Sequence, residues 1–151
     1  MSDWIRDAVV DRLHGVHIHV DPLVAVDNVD EIDADKKPFD SGRSLKELLY
    51  HTVFWQDYSL GLLGGEVGDF EKGMDWEVGD QGWGELVERF SKGLSRLEFI
   101  AENWELEDEI NISDDLKTCI GAEILGTTQH TSYHLGQIVA ARRALGLWSR
   151  E

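Results

Sequence analysis

Apolar side chains recur at helical spacing in four separate segments of this 151-residue chain, and this pattern limits the fold more than any other feature. The segments cover residues 4–14, 45–63, 85–103 and 116–147. In each, apolar residues three and four positions apart form a stripe on one side of a helix, which is stable only when another element covers it. We find no convincing sheet pattern. The sequence therefore predicts an all-α fold, an antiparallel four-helix bundle with long connecting loops, as a single domain over residues 1–151.

Three predicted loops connect these helices. They cover residues 30–42, 64–84 and 105–115. The first and third are acidic and the second is rich in glycine, so we expect irregular structure in all three. Trp76 and Trp83 in the second loop are predicted to cover a core or the edge of a site.

Two helix starts carry clear signals. Ser44 with Glu47 three residues later forms a capping-box pattern at the start of the second long helix. Asp21 followed by Pro22 resembles a cap and a first turn, so residues 17–29 are predicted to run extended and then form a short helix.

The chain is strongly acidic, with 30 Asp and Glu against 14 Lys and Arg, a formal charge of -16 and a pI near 4.6. Such a surface repels phosphate backbones and anionic lipids, so we expect neither a nucleic-acid nor a membrane partner. No segment reaches the roughly 18 consecutive apolar residues of a membrane span, and the first residues lack the apolar core of a signal peptide. The single cysteine, Cys119, is expected to be buried in the apolar face of the last helix. Together these features predict a cytoplasmic protein.

Two histidines stand four residues apart in the last predicted helix, in the run HTSYHLGQ. On a helix the rings of His130 and His134 project from one face about one turn apart, which permits both to bind one metal ion but does not require it. The run is not an HExxH motif, because Thr131 stands where that type of metalloprotease has its general-base glutamate. The pair is either half of a metal site or a chance arrangement.

A third histidine, His51, lies in the second long helix with Leu48 one turn before it and Trp55 one turn after it. Its side chain should therefore lie near the apolar face, where a hydrogen-bonded core histidine is the commoner case. Helical bundles build sites from facing helices, so the pair on the last helix makes a shared site the stronger interpretation. Three neutral imidazoles suit zinc, nickel, copper or ferrous iron, and they leave at least one coordination position open.

The segment HGVHIHV offers three further histidines, His14, His17 and His19. The last two would share one side of an extended strand, as a pair of metal ligands can. Further ligands are not evident nearby, so we interpret these residues as ordinary exposed histidines. Asp57 lies off the face that carries His51, and we assign it no role.

The run HTSYHLGQIVAARRALGLW resembles the last helix of the DinB/YfiT-like superfamily, whose members are described as metal-dependent hydrolases. That helix carries a histidine, three residues, a second histidine, then x-Gly-Gln-[Ile/Val] and an arginine ahead of Leu-Gly. SLKELLYHTVFWQDY resembles the family's second helix, where a serine-led start precedes the first metal histidine, and HVDPLVAVDNVD resembles the segment between its first two helices. The resemblance covers nearly the whole chain, and its specific part is the two histidine segments.

The resemblance implies a four-helix bundle that holds a divalent transition metal. The implied ligands are His51, His130 and His134, with zinc or nickel expected first and iron, copper or manganese as alternatives. Gln137, one turn beyond the second histidine of the pair, is a candidate to hold a ligand histidine or a bound water, or it is an ordinary polar residue. Trp55 is a candidate pocket residue, although packing alone explains it as well, and Tyr133 is a candidate acid, base or hydrogen-bonding group.

Two classes of function remain open. Characterised relatives include enzymes that use low-molecular-weight thiols, and others are described as hydrolases, so the resemblance implies a small-molecule substrate and, for a transferase, a thiol cosubstrate. The alternative is a non-catalytic, metal-stabilised, stress-associated bundle that acts through binding or dimerisation. Relatives often form homodimers, and we expect one here. No residue can be assigned a catalytic role, but an open cleft at the metal would favour an enzyme.

Overall fold

Helices dominate the computed structural model, which describes residues 3–40 and 42–149, the side chain of Asp3 excepted. Four helices in this part of the chain have more than ten residues: α1 (Asp3–Leu13), α4 (Leu45–Leu63), α5 (Trp83–Asn103) and α6 (Ile120–Ala144). Two are short, α2 (Pro22–Val26) and α3 (Glu31–Ala34), and one 3-10 turn spans Met74–Trp76. The strands β1 (Glu109–Ser113) and β2 (Leu116–Cys119) form an antiparallel two-stranded sheet. Within these described ranges, no helix combines the length and the apolar character needed to cross a bilayer.

Both predicted helix starts are confirmed. Ser44 Oγ accepts a hydrogen bond from the backbone N–H of Glu47 at 3.1 Å, and Glu47 Oε2 accepts one from the backbone N–H of Ser44 at 2.8 Å. This capping box closes the first turn of α4. Asp21 Oδ1 accepts from the backbone N–H of Leu23 at 2.9 Å, and Pro22 takes the first position of α2. The caps fix where each helix begins and therefore which of its residues face inward.

The predicted apolar stripes pack against one another. α4 contacts both α5 and α6, and α1 contacts the same two helices. One buried cluster joins α4, α5 and α6 with α2 and includes Leu49, Phe90 and Ile138. A second joins α1 and the end of α4 to α5 and the start of α6, and it includes Leu97 and Ile124. The burial of these apolar surfaces holds α4 and α6 side by side.

The prediction of an all-α fold is wrong near the acidic loop predicted over residues 105–115, where β1 and β2 form a hairpin. Ile110 and Ile112 alternate along β1 with exposed polar residues, which is the pattern of a strand with one covered face. Because β2 takes up residues 116–119, the last helix begins at Ile120 and not at residue 116. The alternation in β1 covers only five residues, which is too short to be recognised in a segment rich in acidic residues.

Four smaller predictions also need correction. α3 lies within the first acidic loop, where Asp30 caps it. α5 begins at Trp83, two residues before the expected start. Residues 17–20 form a turn and not an extended piece, since His17 has a φ of 62°. Cys119 ends β2 and is half-buried, so it is not part of the apolar face of α6.

Arg142 ties the end of α6 to α2. It is 4% exposed, and its guanidinium donates hydrogen bonds to the carbonyl oxygens of Ala25 at 2.8 Å and Leu147 at 3.0 Å. Asp27 Oδ1 lies 3.8 Å from the same group, which also sits 4.9 Å from the ring centre of Trp148. Backbone carbonyls, a carboxylate and an aromatic face therefore balance this buried charge, and the role of Arg142 is structural.

We predict that Arg142→Ala lowers the free energy of unfolding by about 2–4 kcal/mol, because it deletes charge-assisted hydrogen bonds and leaves buried carbonyls without these donors. Urea denaturation followed by circular dichroism measures the change. Arg143→Ala removes the same charge from the exposed neighbouring position and should change stability by less than about 0.5 kcal/mol. Equal losses in the two variants would contradict the structural role.

Candidate metal centre

The packing of α4 against α6 brings three histidines together. His51 projects from α4, and His130 and His134 project from one face of α6. One ligand atom from each histidine lies within 4.8 Å of the others. In the described part of the chain, no other set of three or more histidine, cysteine or acidic residues forms such a group. His51 and His134 are each 7% exposed, and His130 is half-buried. The sequence predicted this convergence from the spacing of His130 and His134, the apolar position of His51 and the family resemblance.

Hydrogen bonds leave a lone pair on the inner nitrogen of His51. Its Nδ1 faces two acceptors of Asp75, the carbonyl oxygen at 3.2 Å and carboxylate Oδ2 at 3.1 Å. Nδ1 therefore carries the ring proton, which leaves Nε2 deprotonated in the neutral imidazole. Nε2 is the atom that faces His130, with 3.1 Å between the two Nε2 atoms.

His134 is fixed in the same way. Its Nδ1 lies 2.7 Å from Oε1 of Gln137, so Nδ1 donates and the lone pair lies on Nε2. Gln137 therefore sits where the sequence suggested a residue that orients a ligand. The ring centres of His130 and His134 are 4.5 Å apart, as are those of His51 and His134.

His130 completes the set with one atom that has no protein partner. Its Nδ1 is buried and makes no hydrogen bond within the described residues. The 3.1 Å between the two Nε2 atoms is close to the separation of about 3.3 Å expected for two nitrogens bound to one tetrahedral ion at about 2.05 Å. Without a metal, one of these nitrogens must donate to the other, whereas a bound cation would accept a lone pair from each, so the donor set fits a divalent transition metal.

Burial lowers the pKa of all three imidazoles. That of His130 falls from 6.5 to about 4, first because of burial and then because protonated His134 and His51 would repel its charge. Burial is also the main cause for His51 and His134, opposed by Asp75 in the first case and by Gln137 in the second. At neutral pH the three rings are uncharged and their lone pairs are available to a metal.

Aromatic rings enclose the His51 side of the site. Trp76 stacks on His51 with 4.0 Å between ring centres and 12° between planes. Trp55 lies edge-on to the same ring at 6.5 Å, and its Nε1 donates to Asp75 Oδ2 at 3.1 Å. The glycine-rich connection thus contributes both the carboxylate behind His51 and a ring over it, and the prediction that Trp76 covers a core or a site edge is confirmed. Trp83 is 4% exposed and packs in the core.

A cleft of about 270 Å³ opens beside His130, between α4 and α6, and we name it the His130 cleft. Its walls include Trp55, Tyr58, Glu123 and Thr127. A larger cleft of about 480 Å³ borders the other side of α6 at His19, but it includes none of the three central histidines. The His130 cleft is therefore the one of these two that borders the candidate metal site.

Other candidate residues lie at or beyond the edge of the site. Tyr133 is 66% exposed, with its ring edge-on to His134 at 5.0 Å. Asp57 forms an ion pair with Arg89 at 2.5 Å, away from the histidines. The histidines of the first segment join other groups: His14 lies between two carboxylates, and His19 Nε2 is 2.8 Å from a serine hydroxyl.

Two residues of the site were missed. Asp75 lies in an irregular connection, where spacing gives no information on direction. Glu123 was detectable, because positions 123, 127, 130 and 134 recur on one helical face and all border the site or its cleft.

Comparisons with known proteins identify the fold. No protein-family model matches the sequence, and no curated protein is significantly similar to it. A crystal structure from Exiguobacterium sibiricum, described as a candidate member of the DinB family, matches with a TM-score of 0.66 over 100% of this chain and 97% of that one. Sequence identity is 15%. The chain therefore has a DinB-like fold, as the histidine segments suggested.

The lowered histidine pKa values predict how the metal-free protein responds to acid. Unfolded histidines bind protons near pH 6.5, whereas the folded site resists protonation, down to about pH 4 for His130. The unfolded state therefore binds more protons in this window, and stability must fall as the pH drops from 6.5 towards 4. Urea midpoints at several pH values measure the slope. His130→Gln should flatten it and His17→Gln, at an exposed position, should not; an unchanged slope in His130→Gln would refute this account.

Asp75→Asn is expected to weaken metal binding about 10- to 100-fold, because an amide group can present N–H to the His51 Nδ1 proton and no longer supplies a negative charge behind the ligand. Competition against a chromophoric zinc chelator measures the affinity. Asp80→Asn makes the same change at an exposed position of the same connection and serves as the control. Wild-type affinity in Asp75→Asn would show that the carboxylate does not tune the site.

Proposed function

We propose that this chain is a metal-dependent enzyme of the DinB superfamily that binds one divalent transition metal through His51, His130 and His134. The observation that carries the proposal is the convergence of the three imidazoles, two of them with their outer nitrogens engaged by Asp75 and Gln137. We also propose that α1, α4, α5 and α6 form an antiparallel four-helix bundle, which the packing of these helices and the DinB-like fold support.

The donor chemistry supports zinc or nickel first. Three neutral nitrogen ligands without a carboxylate suit these ions, and copper, ferrous iron or manganese are the other candidates. A divalent ion held by three residues keeps at least one position for a small molecule and would supply Lewis-acid chemistry that activates a water or a thiol. The reactions we propose are hydrolysis or the transfer of a group to a low-molecular-weight thiol.

The protein's own residues have defined tasks in this proposal. Asp75 and Gln137 hold two ligand rings in the tautomer that points Nε2 inward. Trp76 covers one face of the His51 ring and limits water there. Trp55 donates a hydrogen bond to the Asp75 carboxylate and also lines the His130 cleft, where a substrate would enter.

An enzyme is favoured over a metal-stabilised bundle without activity because a cleft reaches His130. A purely structural metal is usually enclosed by four protein ligands. Here the third histidine lines a space of about 270 Å³ with an aromatic wall. A small molecule is the expected partner, and the formal charge of -16 argues against nucleic acid. A homodimer and a cytoplasmic location remain part of the proposal and rest on the family resemblance and the lone cysteine.

Metal content by mass spectrometry, on untagged protein purified without chelators, tests the proposal. We expect about one transition metal per chain, lost in His51→Ala, His130→Ala and His134→Ala and retained in His17→Ala. The loaded protein is then screened for ester hydrolysis and thiol transfer against His134→Ala. No metal after reconstitution with zinc, nickel and manganese would refute the metal site, and metal without any turnover would favour the binding role.

A further inference from the structure

The His130 cleft contains a carboxylate that the metal site does not use. Glu123 lies two helical turns before His130 on α6, half-buried, and both residues line the cleft. Its oxygens are not part of the group of ligand atoms that lie within 4.8 Å of one another. Glu123 therefore faces the space next to the metal site without belonging to it.

Two hydroxyl groups are hydrogen-bonded in series to this carboxylate. The Thr127 hydroxyl donates to Ser59 Oγ at 2.6 Å, and the Ser59 hydroxyl donates to Glu123 Oε1 at 2.5 Å. Ser59 and Thr127 are each 6% exposed, so this chain is protected from solvent. Because each hydroxyl proton points towards the carboxylate, the two hydroxyls supply only donors to it and fix the position of Oε1.

One carboxylate oxygen remains for a ligand. Among the described residues, no hydrogen bond or ion pair is found to Oε2 of Glu123. A fixed anion at the wall of a cleft favours a ligand that brings a positive charge and N–H donors, since an unpaired charge that loses water is costly.

The other walls of the His130 cleft are aromatic or apolar, and they limit the class of ligand further. Trp55 and Tyr58 present aromatic rings 5.4 Å apart, and Leu62 and Ile112 add apolar surface. Aromatic faces attract cations as well as apolar groups. The overall charge of -16 also raises the local concentration of small cations and lowers that of anions.

We propose that the His130 cleft binds a small organic ammonium compound, with the ammonium group on Glu123 and an apolar or aromatic body against Trp55 and Tyr58. The cleft is smaller than the roughly 300–1,000 Å³ of sites for drug-sized ligands, so the ligand is a small molecule. This proposal rests on the proposed function in one respect, namely that the ammonium compound is the substrate of the enzyme. Its reactive bond would then lie beside His130. The groups proposed to hold the ligand, Glu123, Trp55 and Tyr58, are separate from the metal ligands, although His130 also lines the cleft.

Two variants, each with a matched control, test whether the ligand binds in the His130 cleft. Glu123→Gln removes the charge and keeps the shape, and Glu102→Gln does the same at an exposed position of α5. Gly126 lines the cleft, and a Cβ placed there would meet no atom within 4 Å, so Gly126→Leu is chosen to put an apolar side chain at the cleft. Gly136→Leu is its control, because Gly136 is equally open, belongs to the same helix and lines a different cleft. Leucine is a better helix former than glycine, so α6 should stay intact in both variants.

The experiment titrates benzylamine, benzyl alcohol and benzoate into zinc-loaded and metal-free protein at pH 7 and follows amide shifts by NMR. We expect the metal-free protein to bind benzylamine at least about tenfold more tightly than benzyl alcohol and not to bind benzoate, since Glu123 attracts an ammonium group and repels a carboxylate. Glu123→Gln should remove the preference for the amine, and Gly126→Leu should abolish binding of both compounds. The two controls should behave as wild type.

The results separate this proposal from the metal site. Equal affinity for amine and alcohol, or an unchanged preference in Glu123→Gln, would overturn it. Binding lost equally in Gly136→Leu would place the ligand outside the His130 cleft and would also overturn it. If the wild-type protein binds no metal but still prefers benzylamine in a Glu123-dependent way, the cleft proposal stands and the proposed metal function fails.

Discussion

Three uncharged imidazoles share one small volume between α4 and α6, and the surrounding structure keeps them there. Burial disfavours their protonated forms, and one pKa falls to about 4, so the site would lose stability if it had to carry three positive charges. Two of the rings are held from outside, by Asp75 and by Gln137, with their lone pairs directed inward. The cost of burying polar rings is offset by apolar packing of α4 against α5 and α6, which positions all three histidines at once.

The connection between α4 and α5 has a larger part in the site than its irregular sequence suggests. Its 3-10 turn, Met74–Trp76, supplies the Asp75 carboxylate and the Trp76 ring to the two outer sides of His51. α6 supplies the opposite wall, and its Glu123 gives the His130 cleft a negative charge. The site is therefore covered by Trp76 on one side and open to the His130 cleft on the other.

Helical periodicity carried most of what the sequence could predict. Spacing showed that His130 and His134 share one helical face, and the apolar stripe between Leu48 and Trp55 placed His51 near the core, because residues on one helical face keep their direction in any packing. Spacing alone left the metal site open, and the resemblance to the DinB/YfiT-like superfamily implied the three histidines as one ligand set. The hairpin was missed because β1 is only five residues long and acidic neighbours surround it. Asp75 could not be predicted, since its direction depends on backbone angles of a loop that no repeating pattern fixes. Glu123 shares the face of the histidine pair and was open to prediction, but its role depends on Ser59, which only tertiary packing brings near.

X-ray absorption spectroscopy of zinc-loaded protein tests the central claim most directly. The account predicts about one zinc per chain with three imidazole nitrogens at about 2.0–2.1 Å and at least one further light-atom ligand that is not a histidine. His134→Ala should reduce the number of imidazoles or abolish binding altogether. A wild-type spectrum with fewer than three imidazoles, with sulfur from Cys119, or with no bound zinc would contradict the site described for His51, His130 and His134.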